Sequence, residues 1–510
     1  QVKALATFLF ILSIGGSALT QERDADLVIF NGEILTMDPG KPRVEAVAII
    51  GTRFVSVGTN AEVRRLVGIR TTVIDAAGKI VIPGINDAHV HFMAIGNKFS
   101  SVDLRNVGSF DEMRQLFAYF VRFLPKGRWI LGSGWNDRNL QPPSASTIRL
   151  IDDLTPDNPI FVYSADPSVA FANARALTIA GISRNTPDPI DGTIVRDISG
   201  EPTGVLKGKA LQLLIRHIPP DHTRRWSEIA ETASNYAASY GVTSAQDTDS
   251  DDRADVYREL ERLGKLKTRI YDCKGLSEWA KTKKLPEFDN PDSMVTTGCV
   301  KGFHEGDDDW TQKLREDVIA ADKAGWQVAI HAIGAKSNRI VLDIIEETIR
   351  LNGKRDRRFR IEHAEGIAPA DLSRLGRLGI TLSIQPYLFG RGAGYRSGYY
   401  ERLRRAGAKL ALGSDAPMTE FDPLLLLSAG NDGKLEFNNG SWLTSIIHSH
   451  TIGSAFAEFK EKVKGQIAVG KLADLVILSQ NRVSSAPDAP HVANVSVTVV
   501  NGRIVYQRSY

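Results

Sequence analysis

The chain is poor in cysteine, nearly neutral, and has no long apolar run beyond its first residues. Of 510 residues two are cysteines, Cys273 and Cys299. Two thiols cannot build a disulfide framework or a cysteine-ligated zinc site. Both lie in strand-like runs and are expected as buried free thiols, with a bridge open to them in an oxidising compartment. A formal net charge of +3 is small for this length and argues against a surface dedicated to nucleic acid. The basic run Lys354–Arg358 reads as a solvated loop, and no internal repeat or low-complexity tract stands out. The exception at the start is Lys3, the apolar run Ala4–Ile14 and the small residues Gly15–Ala18. That layout fits a secretory signal peptide over residues 1–20. It implies a periplasmic or secreted protein with no membrane attachment once the segment is removed.

A hydrophobic fraction of 42% and a charged fraction of 24% describe an ordinary globular protein, and 510 residues exceed one hydrophobic core. Asp26–Asp75 reads as short strands and turns, with Asn31-Gly32 as a hairpin signal. Gly470–Ser479 and Val495–Gln507 read the same way. Neither end has enough strands to close a core. Residues 21–79 and 465–510 are therefore expected to form one small composite β-sandwich domain.

Between them, over residues 80–464, strand-like and helix-like segments alternate. The strand-like runs are Ile80–Phe92, Val242–Thr248, Thr268–Lys274, Thr297–Glu305, Gln327–Gly334, Phe359–Gly366, Ile380–Tyr387 and Lys409–Pro417. Eight strands alternating with helices predict an α/β fold, a TIM-like (β/α)8 barrel, whose active site lies at the C-terminal strand ends. The gap of about residues 93–240 is too long for a loop and predicts an inserted subdomain over the barrel mouth.

Polar residues collect at those strand ends. The first carries His89 and His91, which share one face because strand side chains alternate. Two imidazoles so placed can grip one metal ion. Lys301 lies on the fourth strand, His331 ends the fifth, His363 the sixth and Asp415 the eighth. Singly, each has an ordinary structural explanation; jointly, six such residues at the ends of one barrel point to a metal centre. His304, Gln385 and the Trp135–Asp137 segment are candidates for substrate contact, and a purely structural role competes for Gln385 and the tryptophan segment.

The stretches VIPGINDAHVHF, GSGWND, GEPTGVL, VKGFHEG, VAIHAIG, RIEHAEG, LGSDAP and GQIAVGKLADLVIL run collinearly through the chain. In this set the sequence resembles the amidohydrolase superfamily, within its amidohydrolase-3 branch. The resemblance implies a hydrolase of carbon–nitrogen bonds other than peptide bonds, acting on a small amide: N-acyl, N-formyl or cyclic. It implies metal ligation by His89, His91, Lys301, His331, His363 and Asp415, with Lys301 carboxylated where two ions are bound. Asp415 is the expected general acid and base. One or two divalent ions are expected, zinc fitting the donors best. A homodimer is left open.

The chain departs from the family pattern outside those six positions. Asp166-Pro167-Ser168 stands where Asp-Gly-His is usual, Ala335 replaces an aspartate, Glu305-Gly306 replaces Asp-Gly, and His450 replaces a tyrosine. Two other readings therefore stay open: a non-catalytic, metal-retaining binding protein, and an esterase, lactonase or isomerase of the same superfamily.

Overall fold

The structure is a computed structural model. It describes residues 24–99, 101–135, 151–164, 166–219, 223–250, 253–282, 285–286, 290, 292–305, 310–385, 399–425, 442–479 and 494–508. The expected signal segment and Asp137 lie outside the described residues. Among the described residues no helix is long and apolar enough to cross a membrane.

Eight parallel strands form the centre: β1 (Ile85–Val90), β2 (Val242–Ser250), β3 (Arg269–Gly275), β4 (Val295–His304), β5 (Gln327–Ile333), β6 (Arg360–Glu365), β7 (Thr381–Ile384) and β8 (Lys409–Leu412). Each pairs with the next in chain order, the topology of a (β/α)8 barrel. Helices such as Thr311–Lys323 and Ala335–Asn352 cover the outside. Alternate residues explain the layering. Val300, Val328, Ile330 and Ile361 pack outward with Val318, Val341 and Ile345, while Cys299, Lys301, Ala329 and Glu362 turn inward.

The expected first strand is two strands. Ile80–Pro83 pairs with Glu33–Leu35 and Leu475–Leu478, in a six-stranded sheet drawn from both chain ends. The chain then crosses into the barrel at Gly84, where a Cβ would meet the Thr243 hydroxyl oxygen at 2.1 Å. A four-stranded sheet that includes Leu27–Phe30 and Ala46–Ile50 packs on the first, sharing a core of Leu27, Ile29, Val47, Leu475 and Val497.

Among the described residues β8 and β1 share no ladder. Their seam is held by the Asp415 amide on the His89 carbonyl (2.7 Å), the His91 amide on the Ala416 carbonyl (2.9 Å) and the Ser414 amide on the Asp87 carboxylate (2.9 Å).

The cysteines differ from expectation. Cys273 and Cys299 occupy paired positions on β3 and β4, both turned into the barrel with Cα atoms 4.4 Å apart, and they are bridged. Register places the sulfurs together, which sequence spacing does not show.

The insertion builds its own six-stranded sheet, with strands that include Ile130–Trp135, Ile160–Ser164 and Pro202–Gly208. It docks on the helix Thr223–Ser239. Arg128 donates to the Thr232 hydroxyl at 2.7 Å, and Asn235 donates to the Phe123 carbonyl at 3.0 Å.

The end-to-end sheet is tied to the barrel by an ion pair. Arg269 of β3 donates to Asp474 at 2.7 Å, both side chains are 5% exposed, and Asp474 also accepts the Asn501 amide. Removing one member of a buried pair strands its partner, at a cost of about 3–5 kcal/mol. Asp474→Ala is expected to lower the unfolding free energy in urea by about that amount; a loss below about 1 kcal/mol would mean that water compensates Arg269.

Candidate metal centre

Local geometry brings the strand ends together. His89 and His91 both aim Nε2 at Asp415, each 3.3 Å from its Oδ1. Asp415 reaches that point because its backbone is left-handed, with φ of 60°. His363 needs a similar kink. Ile361 faces the helices, so plain alternation would send His363 outward as well. Left-handed φ values of 66° and 54° at His363 and Ala364 break the alternation and shift the β5–β6 register. The His363 ring centre then lies 4.8 Å from that of His89 and 4.5 Å from that of His331. Donor atoms of His89, His363 and Asp415 fall within 4.8 Å of one another, all on buried residues.

Lys301 is almost fully buried beside this group, and its Nζ has no hydrogen-bond partner. Burial pulls its ammonium down to about 8, against the pull of Glu362. Burial, reinforced by the Lys301 charge, likewise brings His331 down to about 4, and burial brings His363 down to about 3. Neutral imidazole is the form that binds metal. For Asp415, burial opposes ionisation, but hydrogen bonds from His89 and His91 outweigh it and hold the carboxyl well below its usual range. The buried Nδ1 of His363 also lacks a partner. Imidazoles, a carboxylate and an unsatisfied amine, turned toward one another in a buried space, fit a divalent cation.

Each first-strand histidine is held from behind by a carboxylate. Glu362 lies 2.5 Å from His89 Nδ1, and Asp249 lies 2.8 Å from His91 Nδ1. Such partners fix the proton on Nδ1, and a metal would take Nε2 in place of the proton each ring shares with Asp415. Glu362 is itself gripped by Arg360, which also donates to the Ala88 carbonyl at 2.6 Å and to Gln246. Sequence reading passes over Glu362, Asp249 and Arg360. The signal was there for two of them: in RIEH, alternation puts Arg360 and Glu362 on the inner face of β6.

The candidates for substrate contact divide. Gln385 is fully buried; its amide donates to the Ser383 carbonyl at 3.3 Å, and its Oε1 has no partner. His304 shares the outward face of Gly302, where a Cβ would meet Leu276 and Leu314, and its ring contacts the Thr311 hydroxyl at 3.0 Å. It belongs to the helix layer because one residue along a strand reverses direction. Trp135 is a core residue of the insertion, edge-on to Phe171 at 5.6 Å. Ser168 lies in an exposed turn and Ala335 begins the helix after β5, so neither departure alters the His89, His363 and Asp415 group.

Residues 72–506 match the amidohydrolase family. The chain belongs to the amidohydrolase family. This amidohydrolase is accordingly a metal-dependent hydrolase acting on carbon–nitrogen bonds. It is 34% identical to Protein LONG AFTER FAR-RED 3 of Arabidopsis thaliana, over 94% of this chain and 92% of that protein. It is 28% identical to the N-substituted formamide deformylase of Arthrobacter pascens, over 96% of this chain and 100% of that one. Its fold is that of a metal-dependent hydrolase of Pyrococcus furiosus, at a TM-score of 0.57 and 24% identity over 89% of this chain and 99% of the other.

The carboxylate behind His91 provides a test. Loss of a carboxylate that orients a metal-binding histidine typically costs about 10–100-fold in metal affinity. Asp249→Ala is expected to weaken zinc binding of the amidohydrolase by that factor in competition with a chromophoric chelator, with little change in the unfolding midpoint of the metal-free protein. Unchanged zinc affinity would remove Asp249 from this role.

Proposed function

We propose that the enzyme hydrolyses a small N-acyl or N-formyl amide, or a cyclic amide, with Asp415 moving the proton. The observation that carries the reading is Asp415 set between two imidazoles, its Oδ1 3.3 Å from each Nε2, beside the buried and unpartnered Lys301 amine. His89, His91, His331, His363 and Asp415, with Lys301, are the residues that would hold the cation. A divalent ion bound there would lower the pKa of a water and polarise the amide carbonyl.

The chain's own groups supply the rest. The Asp415 carboxylate accepts a proton from the attacking water and returns it to the departing nitrogen, which makes a poor leaving group into an amine. Burial favours the neutral Lys301 amine, the form that could add carbon dioxide and release a proton to give a carbamate, whose oxygens would be further donors to the cation. Glu362 and Asp249 keep the two imidazoles aimed while the proton moves. The formamide deformylase relative, matched along its whole length, supports an N-substituted formamide as the first substrate to try. The bridged Cys273 and Cys299 support an oxidising compartment, the periplasm or the exterior, as the place of action.

Removing a positioned acid–base group costs about 10²–10⁴-fold. Asp415→Asn is expected to reduce kcat/KM on an N-substituted formamide by that factor, and exhaustive chelation to abolish turnover until zinc is restored. Turnover that survives chelation, or an Asp415→Asn enzyme within tenfold of the parent, would overturn the mechanism.

A further inference from the structure

Two neighbouring strands of the barrel, β4 and β5, continue past Lys301 and His331, and the next inward residue on each is apolar and exposed. Phe303 stands two residues beyond Lys301 on the inward face of β4. Its ring centre lies 4.7 Å from Lys301 Nζ and 5.7 Å from the ring of His331, yet the residue is 52% exposed. Ile333 stands two residues beyond His331 on β5, on the same face, and is 45% exposed. The two neighbouring strands that supply Lys301 and His331 thus each carry an exposed apolar side chain two residues further on.

Two residues along a strand advance about 7 Å, roughly the distance from a scissile amide to the far side of a substituent ring. Apolar surface left open beside a polar centre costs free energy until an apolar group covers it. A site built for a polar substituent would show hydrogen-bonding groups at these positions. The polar group in contact with the Phe303 ring is Lys301 Nζ, which is buried, lacks a hydrogen-bond partner and lies deeper in the barrel.

We propose that Phe303 and Ile333, on neighbouring strands, form a specificity subsite for an apolar substituent of the amide, with a flat ring seated on the open face of Phe303. The inference rests on the proposed amide hydrolysis and narrows its substrate class. A flat ring is favoured because offset ring pairs gain attraction beyond the area they bury.

Binding without turnover tests it. Acetohydroxamate and benzohydroxamate present the same metal-binding head and differ only in the substituent. Calorimetric titration of the zinc-loaded enzyme is expected to show benzohydroxamate binding about tenfold or more tighter, the scale at which an apolar pocket discriminates. Phe303→Ser should remove most of that preference and leave acetohydroxamate within about twofold, while Phe303→Leu should retain part of it. Ile333→Ser gives the same reading should Phe303→Ser fail to fold. An unchanged ratio in the serine variants, or equal weakening of both ligands, would overturn the subsite: Phe303 would then only prop Lys301 and His331. Absence of binding by either hydroxamate would overturn it too. Turnover of a phenethyl-substituted and a hydroxyethyl-substituted formamide, measured alongside, separates the two ideas. Failure to hydrolyse either sinks the N-formyl reading of the proposed reaction, while the hydroxamate ratio still decides the subsite.

Discussion

The close approach of Gly413 to His89 is the constraint on which the site depends. A Cβ on Gly413 would lie 2.4 Å from the His89 amide nitrogen, so only glycine lets β8 reach β1 here. The seam has no ladder among the described residues and is closed instead by bonds around the candidate ligands themselves, the Asp415 amide on the His89 carbonyl and the His91 amide on the Ala416 carbonyl. Barrel closure therefore also sets the spacing of His89, His91 and Asp415. His89 and His91 enter from the first strand, Asp415 from the last, and the backbone that joins those strands fixes the distance between their side chains. Positions so remote in sequence can be held to a fraction of an ångström only by such an over-determined contact.

Below the ligands the barrel is polar. Glu362 holds His89, Arg360 holds Glu362 and Gln246, and Gln246 donates to Asn86 at 3.3 Å. Asn86 in turn donates to Glu458 at 2.5 Å, and Glu458 pairs with Lys464 at 2.7 Å. Arg360, Glu362, Glu458 and Lys464 are all buried, and their charges alternate along the chain of contacts. Desolvating such groups costs as much as or more than their attraction returns, so the network is poor evidence of stability. What it supplies is direction. Arg360 has bonds to Glu362, Gln246 and the Ala88 carbonyl, leaving the Glu362 carboxylate little choice of rotamer and His89 a single orientation.

Much of this was legible before any coordinates, and the failures have a common cause. Eight strands and four candidate ligand-bearing strand ends follow from apolar or alternating runs that stop at histidine or aspartate, because the outward face of each strand must stay apolar against the helices until the chain reaches the mouth. Periodicity cannot show where alternation is broken. His363 joins the site through a left-handed kink, and nothing in RIEHAEG announces positive φ at a histidine and an alanine. The seam at Gly413, the cysteine pairing and the Asp249 contact are all matters of register between distant segments. For Trp135 the motif leaves a pocket role and a packed role open, and the structure takes the second, since a large aromatic in an insertion with its own sheet is drawn first to that sheet's core.

Neighbouring residues at a barrel's mouth answer to different demands, and β4 shows how sharply. Lys301 and Phe303 face the cluster; Gly302 and His304 face the helices. A histidine in the motif VKGFHEG draws attention because imidazole is the commonest metal ligand, but its contact with Thr311 sets it at the start of the helix Thr311–Lys323. The phenylalanine beside it carries no donor or acceptor and so attracts none, although its ring touches two residues of the centre and stays half open. Chemistry of the side chain suggests the first as functional; direction along the pleat selects the second. In a fold that grafts its reaction onto strand ends, the parity of a residue relative to a ligand is better evidence of what it meets than the residue type.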